Sequence, residues 1–277
     1  MSLNVLVATP FGSDPDRADA AMIEARDGSK DDHHAWATRI EMARQSGHPE
    51  DLQILADEAP TAALRAAAQT LADEMLGQRQ HLKSPDKVFL FSGHMIDTPD
   101  RREPRLPAAS ENLAAARIDA ALDALGASPG DLAFAQGAAG GDILFGEACL
   151  ARGVSLQLLL PLPEPEFIAA SVLPSSAGEA WRRRYLALRA RLPQPPRIMP
   201  DALGPLPLDR HGTPSNPYER CNRWLLYSAL SYGIDRLRFI CLWDGGSGDG
   251  AGGTAHMVKE VKKRTSRITW LNTRELE

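Results

Sequence analysis

The sequence predicts an α/β chain with a three-layer, Rossmann-like, doubly wound and mostly parallel sheet, preceded by an α-helical extension. Three observations predict it. Short, nearly unbroken apolar runs of strand length recur from residue 87 onward, as in strands buried on both faces. Helical patterns separate them, and glycine marks the junctions from strand to helix.

The extension comes first, over residues 1–85. After an apolar start from Leu3 to Ala8 and a polar stretch from Gly12 to Asp19, helical segments are expected at roughly 33–46, 50–57 and 61–80. The third places Leu64, Ala68, Leu71 and Met75 on one face. The first two read as a helical pair turning at Gly47, similar to a degenerate tetratricopeptide unit, and one such unit cannot build a solenoid. A helical cap on the main domain is the expectation.

The α/β domain is expected over 86–277. Its strands are KVFLFSG (87–93), DLAFAQG (131–137), VSLQLLLP (154–161), RLRFICLWDG (236–245) and RITWL (267–271). Helices at 111–125, 141–153, 178–192, 218–233 and 254–264 lie between them. The proline-dense stretch from Pro161 to Pro217, densest from Pro193, is expected to be a long loop over one rim of the sheet, with a lid as its functional form.

Composition excludes several classes. A net charge of -5 opposes a general grip on duplex nucleic acid or on an anionic membrane, so a small-molecule partner is expected first. Cys149, Cys221 and Cys241 are widely spaced and offer neither a disulfide framework nor a metal knuckle, which fits a reducing compartment. With no signal peptide and no membrane-length apolar stretch read, a cytoplasmic protein is expected. The DDHH run from Asp31 to His34 has no spaced second pair, and no metal site is assigned. No full P-loop pattern occurs either.

Three junctions carry the functional expectation, because parallel strands deliver them to one sheet edge. The first, SGHMIDTPDRREPRLP, offers Gly93, His94 and Asp97, then Arg101, Arg102 and Arg105, of which one is expected to face a phosphate. In the second, QGAAGGDILFGE, Gly137, Gly140 and Gly141 present main-chain N–H groups at a helix start, with Asp142 either meeting a sugar hydroxyl or capping the helix. Glu147 lies about 140° around that helix from Asp142, a catalytic carboxylate on one reading and a solvated side chain on the other.

The third junction, LWDGGSGDGAGGTAHMV, contributes Asp244 and a cradle from Gly250 to Thr254 formed by Gly252, Gly253 and Thr254, with His256 within reach. Glu219 and Asn222 share a helix face suited to a ribose or base, whereas Arg182, Arg183 and Arg184 read as a solvated face. Trp224 and Trp243 are expected in the core rather than stacked on a base.

With these junctions, residues 86–272 resemble the SLOG superfamily, the Rossmann-like group of Smf/DprA and LOG proteins, through SGHMID, QGAAGGDILFGEACLARG and ERCNRWLLYSAL with LWDGGSGDGAGGTAHMV. The resemblance implies a bound nucleotide or nucleotide-derived ligand such as a ribose phosphate, an NAD fragment or a signalling nucleotide. No further cofactor is required, and a homodimer is implied. LOG-type enzymes cleave the bond between base and ribose 5'-monophosphate with a PGGxGTxxE motif. Here GAGGTAHM lacks the proline and has Met257 at the glutamate position, so binding is favoured over hydrolysis. Glu147 and Asp142 are the catalytic candidates if the chain is a hydrolase, with Asp97 and Asp244 as further carboxylates. A third reading is an interaction protein whose N-terminal helices dock a partner beside a vestigial pocket.

Overall fold

The computed structural model describes residues 33–79, 84–208, 211–247 and 252–276. The expected apolar start from Leu3 to Ala8, Asp31 and Asp32 of the DDHH run, and Gly250 of the last cradle lie outside them. The chain divides into two compact units, 1–84 with 199–216, and 85–198 with 217–277.

The first unit contains helices α1 (His33–Gln45), α2 (Pro49–Glu58) and α3 (Ala62–Arg79). Gly47, at φ +75°, turns the chain between α1 and α2, and Pro49 starts α2 where a missing N–H does no harm. Trp36, Ile40, Leu52, Leu55, Leu64, Ala68 and Ala72 form its core. The buried line on α3 thus runs Leu64, Ala68, Ala72, with Leu71 and Met75 half-buried beside it. A strict four-residue step drifts across a 3.6-residue turn, and the small Ala72 takes the closest approach.

Part of the proline-rich stretch belongs to this unit as well. Instead of one long loop, it forms a short helix at Met199–Leu203, an isolated pairing of Leu208 with Pro214, and turns. Pro200 sits in the first turn of that helix, where proline is tolerated. The buried Arg39 guanidinium stacks over Trp36 at 4.1 Å and donates to the Leu203 carbonyl at 2.7 Å, with Glu58 at 3.7 Å.

The second unit is a doubly wound α/β fold around six parallel strands. These are β1 (Val88–Gly93), β2 (Leu132–Ala135), β3 (Ser155–Leu160), β4 (Arg197–Ile198), β5 (Leu237–Trp243) and β6 (Ile268–Asn272), in the order β4-β3-β2-β1-β5-β6. All five expected strands are present. The sixth, β4, is a two-residue edge strand between Pro196 and Pro200, too short for any periodicity to reveal.

Helices cover both faces, which is why the strands read as unbroken apolar runs. The helix at Glu111–Ala124, the one at Gly141–Ala151 and the one at Gly178–Ala190 pack with Phe89, Phe91, Leu158 and Ile240. The helices at Pro217–Leu230 and Thr254–Lys262 cover the opposite face and bury Trp224, Leu225, Met257 and Val261. Numbered in chain order after α3, these are α4 (Glu111–Ala124), α5 (Gly141–Ala151), α6 (Glu164–Ser171), α7 (Gly178–Ala190), α8 (Met199–Leu203), α9 (Pro217–Leu230) and α10 (Thr254–Lys262). No helix among the described residues is long and apolar enough to cross a membrane.

Strand order reverses beside β1, with β2 on one flank and β5 on the other, each in parallel register from Val88. Loops leaving β1 and β5 therefore depart to opposite faces, the arrangement that in open α/β sheets forms a crevice at the carboxyl ends of the strands. The loop after β1 meets the start of α5: Gly141 donates its N–H to the His94 carbonyl at 3.0 Å and Ile96 donates to Ala139 at 3.1 Å. Gly140 has φ +98°, and a Cβ there would lie 2.6 Å from the Ile96 nitrogen. We predict that Gly140→Ala destabilises the α/β unit by at least about 2 kcal/mol, through left-handed strain and the broken contact, read as a lower urea midpoint. An unchanged midpoint would show that the two junctions do not depend on this approach.

Candidate functional site at the carboxyl ends of β1 and β5

The three junctions come together at this crevice, but they differ in what their polar groups are free to do. In the second junction the main-chain donors point inward. The Asp142 carboxylate accepts from the N–H groups of Gly137 at 3.1 Å and Ala138 at 3.3 Å, while Ala139 donates to the Ser171 carbonyl at 2.9 Å. Asp142 therefore occupies the cradle as its own anion. Burial pushes its pKa up to about 6, against the pull of N–H groups from Ala138, Gly137, Gly93 and Gln136.

Packing also accounts for the glycines of that junction. A Cβ on Gly137 would lie 3.2 Å from both Leu158 and Tyr185, and one on Gly141 would lie 3.2 Å from the Gly93 Cα. Gly137 makes room for two core side chains, and Gly141 for the main chain of the first junction. A sequence shows that glycine is needed but not which neighbour needs it.

His94 joins the first junction to the third. Its N–H extends the β1–β5 ladder to the Leu242 carbonyl at 2.9 Å, and its buried ring places Nε2 3.0 Å from Asp244 Oδ1. The Asp244 main-chain N–H lies 3.2 Å from the same nitrogen. A bare Nε2 accepts from that N–H, and a protonated Nε2 donates to the carboxylate instead. Burial lowers the His94 pKa, with the Arg105 charge acting in the same direction and Asp244 opposing it. For Asp244, burial opposes ionisation, but the Gly246 N–H, His94 and Arg274 outweigh it and hold the carboxyl below its usual range.

Of the three loop arginines, Arg105 is the one whose charge reaches this pair. Arg101 folds back on Asp97 at 3.3 Å and on the Glu103 carbonyl at 3.0 Å, and Arg102 is exposed. Asp97 accepts from the N–H groups of Arg105 at 2.9 Å and Leu106 at 3.0 Å, so its carboxylate clips the loop shut.

The third junction is held from outside itself. Buried Asn222 on α9 donates to the Gly252 carbonyl at 2.8 Å, lies 3.3 Å from His256 Nδ1, and accepts from Gln136 Nε2 at 3.0 Å. It is a bracket between the end of β2 and the start of α10. Gly252 has φ +87°, and Gly253, the N-cap of α10, is exposed with extended backbone. Thr254 is buried, with Oγ1 3.5 Å from Ser92 Oγ at the end of β1. His256 is half-buried, and burial lowers its pKa, with Glu219 and Glu260 pulling it back up.

Glu147 is not brought to the crevice's polar groups. Arg184 grips it with two bonds, 2.9 Å to Oε1 and 2.5 Å to Oε2, and also binds Glu111 at 2.6 Å while lying over Trp181. The arginine expected on a solvated face thus braces α7 to α5 and α4. Met257 is fully buried, so the position of the LOG-type glutamate lies in the core here. Ser92 and Gln136 were within the quoted junctions but not among the expected residues, since neither type signals a site on its own. The three thiols are buried, and burial raises the pKa of each. No cluster of three or more metal-ligating side chains occurs among the described residues.

No family model matches the chain, and no curated protein matches it.

Asp142 gives the fold a pH signature. Between 3.8 and about 6 the folded protein holds a proton that the unfolded chain has released, so this group stabilises the fold as pH falls from 7 towards 5. His94 and His256 act in the opposite sense, because the unfolded chain takes up a proton near 6.5 that the folded one disfavours. In Asp142→Asn only the histidine effect remains. Its urea midpoint is expected to drop further than wild type between pH 7 and pH 5, by about 1 kcal/mol in stability. Parallel pH slopes in the two proteins would rule out a titrating Asp142.

Proposed function

We propose that the α/β unit binds a nucleotide or nucleotide-derived small molecule in the crevice between β1 and β5, as a sensor or regulatory domain. The observation that carries this reading is the reversal of strand order at β1, which sets Ser92 and His94 opposite Asp244 and Gly253–Thr254. Such reversals are where open α/β sheets take ligands. The exposed main chain at Gly253, at the start of a nine-residue helix, suits a phosphate. Asp244, an ionised acceptor, suits a sugar hydroxyl.

Binding is favoured over turnover by the state of the carboxylates. A base-releasing hydrolase needs one that is free to orient water or to face developing positive charge. Asp142 is buried against its own loop, Asp97 closes another, and Glu147 is held by Arg184. Asp244 alone of the four stands at the crevice, and it already holds His94 and the Gly246 N–H.

The direct test is retention of ligand from a pool of AMP, GMP, CMP, NAD, ADP-ribose and cyclic nucleotides, followed by mass spectrometry of what stays bound. One compound retained intact supports the sensor; free base with ribose phosphate makes the chain a hydrolase. Gly253→Val is expected to weaken retention at least tenfold with little change in thermal midpoint, since extended, exposed backbone accepts a branched residue. Undiminished binding in that variant would remove Gly253 from the site.

Met257→Glu, which restores the LOG-type residue, is expected to destabilise the unit by about 3 kcal/mol or more without conferring hydrolysis, because it buries a charge among apolar side chains. A stable variant that releases base from AMP would overturn this.

A further inference from the structure

We propose that Trp270 on β6 is a stacking platform for the base of that ligand, so that the site continues past Asp244 onto the outer strand. The proposal rests on the crevice reading above and narrows it to base-bearing compounds, leaving out ribose phosphate alone.

Trp270 is 52% exposed, whereas Trp36, Trp181 and Trp224 are each 3% exposed or less. Its exposure does not come from a loose side chain. The indole Nε1 donates to the Trp243 carbonyl at 2.8 Å, and the ring packs against the Trp243 ring with centroids 5.9 Å apart. Trp243 is anchored in turn, its Nε1 donating to the Gly246 carbonyl at 2.9 Å. With the only polar atom of the Trp270 ring satisfied, the rest of the indole is an apolar surface held in place beside water.

Its position ties it to the crevice. Trp270 pairs in register with Cys241, yet its ring bonds to the main chain of Trp243 and reaches Gly245, where an added Cβ would lie 3.3 Å from the ring. The indole therefore leans toward the carboxyl edge and flanks Asp244 on the side away from His94 and β1. Arg274, well exposed, places Nη2 3.7 Å from Asp244 Oδ2 on that same outer strand's continuation. From the start of α10 to Asp244 to Trp270, the edge offers an anion site, a hydroxyl acceptor and an aromatic face, in the order of phosphate, sugar and base.

Base stacking on a fixed aromatic ring tolerates any base, because every base has a π-face. The test is titration of the full chain with AMP, CMP and ADP-ribose, and with ribose 5-phosphate as the base-free probe, in wild type, Trp270→Ala and Trp270→Phe. The expected result is roughly tenfold weaker binding of the base-bearing compounds in Trp270→Ala, recovery in Trp270→Phe, and ribose 5-phosphate affinity equal in all three. Iodide quenching of wild-type fluorescence, which reports mainly the exposed Trp270, should fall when AMP is added.

Equal AMP affinity in wild type and Trp270→Ala, with ribose 5-phosphate still bound, overturns the platform and leaves the crevice reading standing. Binding of none of the four compounds overturns both. Shielding from iodide that grows with protein concentration in the absence of nucleotide assigns Trp270 to contact with a second copy of the chain, and overturns the platform as well.

Discussion

At the end of β1 the main chain of His94 touches the main chain of the α5 start, a contact that requires glycine at 140 and leaves little room for a side chain at 141. Side chains there would fill the space in which Gly141 donates to His94 and Ile96 donates to Ala139. Through this contact the first loop is fixed to the second, and the His94 ring is delivered to β5. Asp97 then closes the loop behind it onto Leu106, and the Asp97 carbonyl takes the Ser176 N–H and hydroxyl. The carboxyl edge is thus a chain of main-chain contacts with few side chains between them.

Such close contact needs the buried polar groups to be satisfied, and that requirement decides which junctions are open. Gly137, Ala138, Ala139 and Gly141 each give their N–H to a neighbour in the protein. A ligand anion at the second junction would have to displace the Asp142 carboxylate, which is already there and covalently positioned. At the third junction the N-cap of α10 is Gly253, which has no side chain to offer, and Asn222 holds the carbonyls of Gly252 and Gly253 rather than their donors. The bracket fixes the loop through its carbonyls and does not itself take its N–H groups. The asymmetry between two glycine-rich turns of similar appearance is the main reason for placing a phosphate at one and not the other.

The strands were readable because both faces of the sheet are covered, which makes Val88, Phe89, Leu90 and Phe91 buried in succession. Convergence of the junctions was readable as well, since it follows from parallel strands alone. Individual roles were not. Glu147 lies in a motif that suggests chemistry, but its partner Arg184 is 37 residues away, and nothing in the spacing of either points to the other. Asn222 has the character of a ligand contact until Gln136 and Gly252 are seen to take its amide. Trp243 was expected in the core, and it is half-buried at the carboxyl edge, where it supports a second tryptophan on the neighbouring strand. In each case the residue type was informative and the tertiary partner decided the use.

The charges at the crevice restrict how an anionic ligand can lie there. Asp244 is ionised, so a phosphate beside it would meet a like charge, and the phosphate must sit toward α10 while the carboxylate faces something that donates. His94 is neutral near pH 7 because burial disfavours its cation, and it therefore adds no positive charge to offset Asp244. A ligand hydroxyl on Asp244 Oδ1 would share that oxygen with His94 Nε2 and the Gly246 N–H. Were the hydroxyl to take the place of His94 there, the partner left for Nε2 would be the Asp244 N–H, which requires the bare nitrogen and the proton on Nδ1. On the proposed reading, a ligand that displaced His94 would thereby set the tautomer of a buried histidine whose own carbonyl holds Gly141 and the start of α5.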